Sequence, residues 1–261
     1  MTGLFPRDRA EVAPGAVHVP EWLSVERQGE LVAACREWAR GPVPLRHTRL
    51  PGGGVMSVRT VCLGWHWQPY RYARTADDVN GARVAELPEW LAELGRSAVT
   101  EAYGEAGCAG ETRGARDAGG TRETAGARET AGARGTGDAR ETRGAGAGYA
   151  PDAALVNFYD GDARMGMHQD REERCAAPVV SLSLGDTCVF RFGNPEGRGR
   201  PYTDVELASG DLFVFGGPSR FAYHGVPKVL PGTADPAVGL RGGRLNITLR
   251  ETGLGGPAGR G

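Results

Sequence analysis

After residue 152 the chain runs through a succession of short strand-like segments with no helical period between them. They cover 154–159, 163–168, 178–184, 186–192, 202–207, 211–215, 221–224 and 244–250. Most are rich in β-branched or aromatic residues, and turn residues separate them. Eight short strands in this order point to a jelly roll or a related double-stranded β-helix, which folds two sheets against each other. The first part of the chain reads differently. Residues 24–40 place Leu31, Val32 and Cys35 at helical spacing behind an N-capping Ser24, and Gly41-Pro42 stops the run. Residues 88–103 give a second helix with Pro88 near its first turn. The expected fold is therefore α+β and β-rich: a double-stranded β-helix, jelly-roll and cupin-like, with N-terminal helices flanking one outer face of a sheet.

One segment stands outside this scheme. Residues 105–148 contain no Val, Ile, Leu, Met, Phe, Tyr, Trp or Pro, and Arg116, Arg122, Arg128, Arg134 and Arg140 recur every six residues. A six-residue β-helix needs an aliphatic residue in each turn, and none is present. Seven acidic and seven arginine side chains cancel. So little apolar surface does not offset ordering entropy, and the expectation is a disordered low-complexity insertion. A tolerated repeat expansion is favoured over an arginine tether for nucleic acid. The expected organisation is one domain. Residues 1–104 carry helices and a recognition lid, 105–148 the insertion, 149–252 the β-helix core and 253–261 a flexible tail.

Composition excludes several classes. The formal net charge is -1, so a global electrostatic grip on nucleic acid is excluded and a local basic groove is not. No run approaches the roughly 20 apolar residues of a membrane span. The N-terminus lacks the basic-then-apolar order of a signal peptide. Five scattered cysteines, none in CxxC spacing, argue against a disulfide scaffold or a zinc ribbon. A cytoplasmic protein is the expectation.

The chemistry concentrates at His168-Gln169-Asp170. On an extended segment, positions i and i+2 point the same way, so an imidazole and a carboxylate face one point. The other histidines are His18, His47, His66 and His224, and of these His224 ends a later strand-like run. Two histidines and one carboxylate on one face form the facial triad of non-haem Fe(II) oxygenases. The bland reading of His168 is a surface strand histidine. The C-terminal run shifts the balance. Residues 244–250 alternate strictly, with Leu245, Ile247 and Leu249 on one side and Arg244, Asn246, Thr248 and Arg250 on the other. That polar side is either solvated or lines a barrel that holds a dicarboxylate through arginine. Asn157 and Tyr159, two apart, add donors.

These motifs in order carry a resemblance: PGGGVMSV at 51–58, LGW at 63–65, YRY at 70–72, NFY at 157–159 and MHQD at 167–170. PVVSLSLG at 178–185, GDLFVFGG at 210–217, SRFAYHG at 219–225 and RLNITLR at 244–250 continue it. The chain resembles the AlkB family of Fe(II)- and 2-oxoglutarate-dependent nucleobase dealkylases, and looks closest to the bacterial DNA-repair branch. The resemblance implies Fe(II) on His168, Asp170 and His224, with O₂ as the oxidant. It implies 2-oxoglutarate on Asn157, Tyr159, Arg244, Asn246 and Arg250, with the distal carboxylate on Arg244 and the chelating end near Arg250. Trp65 would stack on the target base, and Tyr70 and Tyr72 would contact the nucleic-acid backbone. Glu172 would lie near the base, and Arg198 would complete the substrate contacts. Phe215 stands where the bacterial enzymes carry tryptophan, which keeps a ring and removes an indole N–H.

The implied activity is oxidative demethylation of 1-methyladenine or 3-methylcytosine in single- or double-stranded DNA, and in RNA. Formaldehyde, succinate and CO₂ would leave, and the role would be repair of alkylation damage by a monomer. Such bases are cationic, which suits an aromatic face beside a carboxylate. A lesion that blocks pairing is also cheaper to flip. Of Trp65 and Trp67, one is expected to serve packing alone. Cys175 is expected to be structural. Arg71, Arg74 and Arg83 are candidates for a basic rim. The alternatives are the same chemistry on tRNA or protein side chains, and a non-catalytic jelly-roll module that binds nucleic acid.

Overall fold

A computed structural model describes residues 7–104 and 148–255 of the protein, so the repeat insertion, apart from Gly148, lies outside the described residues. In chain order the first strands are β1 (Ala10–Ala13), β2 (Ala16–Val19), β3 (Arg46–Arg49), β4 (Val55–Leu63), β5 (His66–Gln68) and β6 (Arg71–Ala73). The later strands are β7 (Ala153–Tyr159), β8 (Met165–His168), β9 (Val179–Gly185), β10 (Cys188–Phe192), β11 (Thr203–Leu207), β12 (Leu212–Phe215), β13 (His224–Val229) and β14 (Arg244–Arg250). The helices are α1 (Val25–Trp38) and α2 (Glu89–Tyr103). An eight-stranded sheet, ordered β1-β2-β12-β9-β14-β7-β4-β3, faces a four-stranded sheet ordered β11-β10-β13-β8. The short β5–β6 hairpin stands apart from both. This is the expected double-stranded β-helix. No described helix is long and apolar enough to cross a membrane.

Strand alternation builds the layers. On β14, Leu245, Ile247 and Leu249 enter a core with Leu31, Val32 and Cys35 of α1 and Leu91, Ala98 and Val99 of α2. Each fully buried Leu, Ile or Val side chain there contributes about 1.5–3 kcal/mol. The helices thus cover the outer face of the large sheet. The Arg27 N–H donates to Ser24 Oγ at 3.2 Å, closing the N-terminus of α1. A second core fills the space between the sheets with Phe190, Phe192, Phe213 and Phe215. Phe190 meets Phe213 edge-on at 4.9 Å, and Phe192 meets Phe215 at 5.5 Å.

Two features depart from expectation. The run at 221–224 is not a strand, because a 3-10 turn at Gly217–Ser219 rotates the chain and pairing begins only at His224. The N-terminal segment adds β1 and β2 to the large sheet through a turn at Pro14-Gly15, where Gly15 has φ +76°.

Asp211 locks this N-terminal addition in place. Its fully buried carboxylate accepts from Arg7 Nη1 at 2.5 Å and Nη2 at 2.7 Å. His18 Nε2 at 2.9 Å, Glu21 N at 3.0 Å and Ala208 N at 2.9 Å complete the shell. Burial alone would raise the Asp211 pKa, but these donors outweigh it and hold the group below its ordinary value. Its contribution to stability is therefore present above the unfolded pKa of about 4 and lost as pH falls below it. Asp211→Ala is expected to cost about 1–3 kcal/mol, because it leaves His18 and the backbone N–H groups of Glu21 and Ala208 without their shared acceptor. Urea denaturation at neutral pH checks this, and a loss below 1 kcal/mol would contradict the lock.

Candidate active site

His168 ends β8 and lies directly opposite His224 at the start of β13. Close approach of the two strands brings the ring centroids to 4.4 Å. A Cβ on Gly225 would sit 2.7 Å from Met165 O, which accounts for the glycine after His224. His168 Nδ1 lies 3.0 Å from Gly166 O, and His224 Nδ1 lies 3.0 Å from Ala222 O. A carbonyl accepts only, so each Nδ1 carries a proton and each Nε2 is the ring nitrogen turned to the site. Both Nε2 atoms lie 3.7 Å from the Asp170 carboxylate, His168 at Oδ1 and His224 at Oδ2. One ligand atom from each residue falls within 4.8 Å of the others. Asp170 Oδ2 is buried and accepts no hydrogen bond from the described residues. Two imidazole nitrogens and an unsatisfied carboxylate oxygen on one face fit a divalent first-row metal with open positions beside it.

The electrostatics agree with that fit. Burial, and next to it His168, push the His224 pKa down to about 4, so its imidazole is neutral at physiological pH. Burial alone would raise the Asp170 pKa, but Arg250, whose Nη2 sits 2.7 Å from Oδ1, and the two histidines hold it well below the carboxylate range. The site thus offers an anion from Asp170 and a neutral donor from His224.

A cavity of about 890 Å³ opens from the triad between the two sheets. Its floor is the polar side of β14 and of its neighbours. Thr60 Oγ1 donates to Asn157 Oδ1 at 2.8 Å, Thr248 Oγ1 to Asn246 Oδ1 at 2.9 Å, and Asn246 Nδ2 to Ser181 Oγ at 2.7 Å. Arg244 is 1% exposed and donates through Nη2 to Ser183 Oγ at 3.0 Å, with its guanidinium 5.2 Å from the Tyr159 ring. Its Nε and Nη1 have no acceptor among the described residues. A buried cation with two idle donor nitrogens lining a cavity is matched to an anionic ligand. Arg250 Nε is likewise without an acceptor.

The expected substrate residues divide. Tyr70, Glu172 and Arg198 line the cavity, and Tyr70 is 79% exposed with φ +74°. Trp65 does not line it. Its Nε1 donates to Asp152 Oδ2 at 2.9 Å, and Arg74 covers its ring at 3.8 Å. The preceding Gly64 has φ +73°, and a Cβ there would meet Asp152 O at 2.0 Å, so this turn directs Trp65 away from the cavity. Trp67 lines the cavity instead, with its Nε1 buried and unpartnered. Tyr72 also faces inward: its hydroxyl donates to Glu173 Oε1 at 2.6 Å and accepts from Arg250 Nη1 at 2.9 Å. It is not placed to touch a nucleic-acid backbone. Arg71, Arg74 and Arg83 bind Gln68, Gly64 and Glu86 and do not line the cavity, whose arginines besides Arg244 and Arg250 are Arg164, Arg171 and Arg198. Cys175 donates to Glu251 O at 2.9 Å and is a structural thiol.

Sequence reasoning passed over Glu173 and Arg220, both almost fully buried and paired at 3.0 Å. The available signal was the second acid after the HxD motif and the arginine in SRFAYHG.

Comparison with known proteins gives the same direction. Residues 15–250 match the family model described as the 2OG-Fe(II) oxygenase superfamily. The chain is 30% identical over 257 residues to the DNA N(6)-methyladenine demethylase ALKBH1D of Arabidopsis thaliana, covering 92% of this chain and 50% of that protein. It is 52% identical over 102 residues to an alpha-ketoglutarate-dependent dioxygenase AlkB homolog of Caulobacter vibrioides, covering 39% of this chain and 45% of that one. The solved structure of OsALKBH1 superposes with a TM-score of 0.70 at 29% identity, covering 93% of this chain and all of that one. The chain spans about half the length of these curated relatives. The motifs, the triad and the match across both sheets place the chain in the 2OG-Fe(II) oxygenase superfamily, as a relative of the AlkB and ALKBH1 proteins.

Proposed function

We propose that the protein is an oxidative demethylase of nucleic-acid bases. The observation that carries this reading is one cavity that joins three elements. These are the His168–Asp170–His224 face, the idle donors of Arg244 and an aromatic wall of Trp67 and Tyr70 beside Glu172. Its volume of about 890 Å³ accommodates 2-oxoglutarate together with a flipped base. His168, Asp170 and His224 would hold Fe(II). Bound Fe(II) supplies the redox chemistry that divides O₂ between 2-oxoglutarate, released as succinate and CO₂, and an N-methyl group, released as formaldehyde.

The chain's own residues bind and orient. Arg244 takes the distal carboxylate of 2-oxoglutarate, and Asn157, Tyr159 and Asn246 border its path. Arg250 holds the Asp170 carboxylate at the chelating end. Trp67 offers a flat face to the base, and Glu172 offers negative charge to a cationic 1-methyladenine or 3-methylcytosine. Arg171 and Arg198 lie at the wall to meet phosphates in DNA or RNA. A second reading, removal of methyl from N6-methyladenine, is favoured by the likeness to ALKBH1D across most of this chain.

Turnover separates these readings. The protein is given Fe(II), 2-oxoglutarate and oligonucleotides carrying 3-methylcytosine, 1-methyladenine or N6-methyladenine, as single strands, duplexes and RNA. Mass spectrometry follows loss of the methyl group. Demethylation of the first two supports repair-type activity, and of the third alone supports the second reading. No demethylation of any, with succinate still formed, would overturn both. In the same assay Trp67→Ala is expected to lower kcat/KM about 10- to 100-fold, the scale of one base–aromatic stack. Trp65→Ala is expected chiefly to lower Tm, through lost contacts to Asp152 and Arg74. The reverse pattern would return the stacking role to Trp65.

A further inference from the structure

We propose that Glu173 is a positioning residue that fixes the metal-binding carboxylate and the aromatic wall of the cavity through a single bridging side chain. The proposal rests on the reading above for the identity of the wall's ligand, but not for the metal. Glu173 lies on no strand, and its side chain is 1% exposed. Its two oxygens act in different directions. Oε2 pairs with Arg220 Nη2 at 3.0 Å, and Arg220 also donates through Nη1 to Asp170 O at 3.0 Å and through Nε to Ala177 O at 2.6 Å. Arg220 therefore staples both ends of the segment from Asp170 to Ala177.

Oε1 takes the other direction. It accepts from Arg250 Nη1 at 3.0 Å and from the Tyr72 hydroxyl at 2.6 Å. Arg250 is thereby held along one edge of its guanidinium, and its Nη2 is delivered to Asp170 Oδ1 at 2.7 Å. With Oδ1 so occupied, Oδ2 is the oxygen left without a hydrogen bond. Glu173 thus selects which oxygen of Asp170 is presented. On the cavity side, Tyr72 lies directly opposite Trp67 in the β5–β6 hairpin. That hairpin belongs to neither large sheet, so this hydroxyl is one of its anchors to the core. The four ionised side chains, Asp170, Glu173, Arg220 and Arg250, balance in charge. Removing one leaves a buried partner uncompensated.

The test uses the full chain in three forms: parent, Glu173→Gln and Tyr72→Phe. Co(II) serves as the metal probe, because its absorption spectrum reports ligand geometry without turnover. Thermal melts confirm folding. Glu173→Gln is expected to change the Co(II) spectrum and to weaken Co(II) binding about 10- to 100-fold, the effect of losing a partner that orients a ligand. Tyr72→Phe is expected to keep the parent spectrum and to raise the oligonucleotide KM about tenfold. It is also expected to yield more succinate per formaldehyde, because the hairpin is less well held. A folded Glu173→Gln protein with the parent spectrum and affinity would overturn the proposal. If Glu173→Gln does not fold, Tyr72→Phe decides: parent KM and coupling overturn the hairpin role. Should no oligonucleotide be a substrate, the function reading fails while the Co(II) arm still tests the metal role of Glu173.

Discussion

A His168→Ala protein is expected to fold as the parent does and to lose iron-dependent succinate formation by at least about a thousandfold, well beyond the 10- to 100-fold typical of orienting partners. His168 suits this test best among the three ligands. Its side chain is 35% exposed, and among the described residues its hydrogen bond runs to Gly166 O on the same strand. Asp170 and His224 are buried, and Asp170 also holds Arg250, so their removal would disturb packing and charge together. Iron content, Tm and succinate yield should be measured on one preparation. Unchanged Tm with lost iron and lost succinate assigns the ligand. Succinate formation near the parent rate would show that the metal sits elsewhere.

Arg244→Met is expected to show effects of opposite sign in the free and ligand-bound protein. In the free protein Arg244 is a buried cation with two idle donors, and a buried charge without its counter-ion is costly. Methionine fills similar space without charge, so Tm should hold or rise. Affinity for 2-oxoglutarate should fall by about 2–5 kcal/mol, as when one partner of a buried charged hydrogen bond is truncated. That is about 30-fold to several thousandfold. The Tm increase that 2-oxoglutarate gives the parent should vanish. Arg244→Lys should recover part of the affinity, since it restores charge but not the guanidinium fork. A folded Arg244→Met protein that binds 2-oxoglutarate as the parent does would remove Arg244 from that role.

What could be read from the chain beforehand was local. The run 244–250 matches β14 residue for residue because its two faces meet different environments, helices on one side and cavity on the other. His168 and Asp170 were legible from i, i+2 spacing, and His224 from its place in FAYHG. What escaped was set by distant contacts. Trp65 and Trp67 differ by two residues, and their separation is decided by Gly64 and by Asp152, 87 positions from Trp65. Glu173 gains its partners 101 residues earlier at Tyr72 and 77 later at Arg250. No periodicity encodes such pairs. The β1–β2 hairpin also escaped, because its place in the sheet is fixed by docking on β12, far along the chain.

Both large sheets are open, and each open margin is a template on which another chain could add a strand. Three margins resist this with ionic side chains: Glu11 on β1, Arg46 and Arg49 on β3, and Asp204 and Glu206 on β11. The fourth, β8, reads Met165-Gly166-Met167-His168 and carries no Asp, Glu, Lys or Arg. Among the described residues, the margin that bears His168 is thus the one without such ionic side chains, and its protection against strand addition falls to whatever packs beside it, as Ser57 does against the backbone of Arg164.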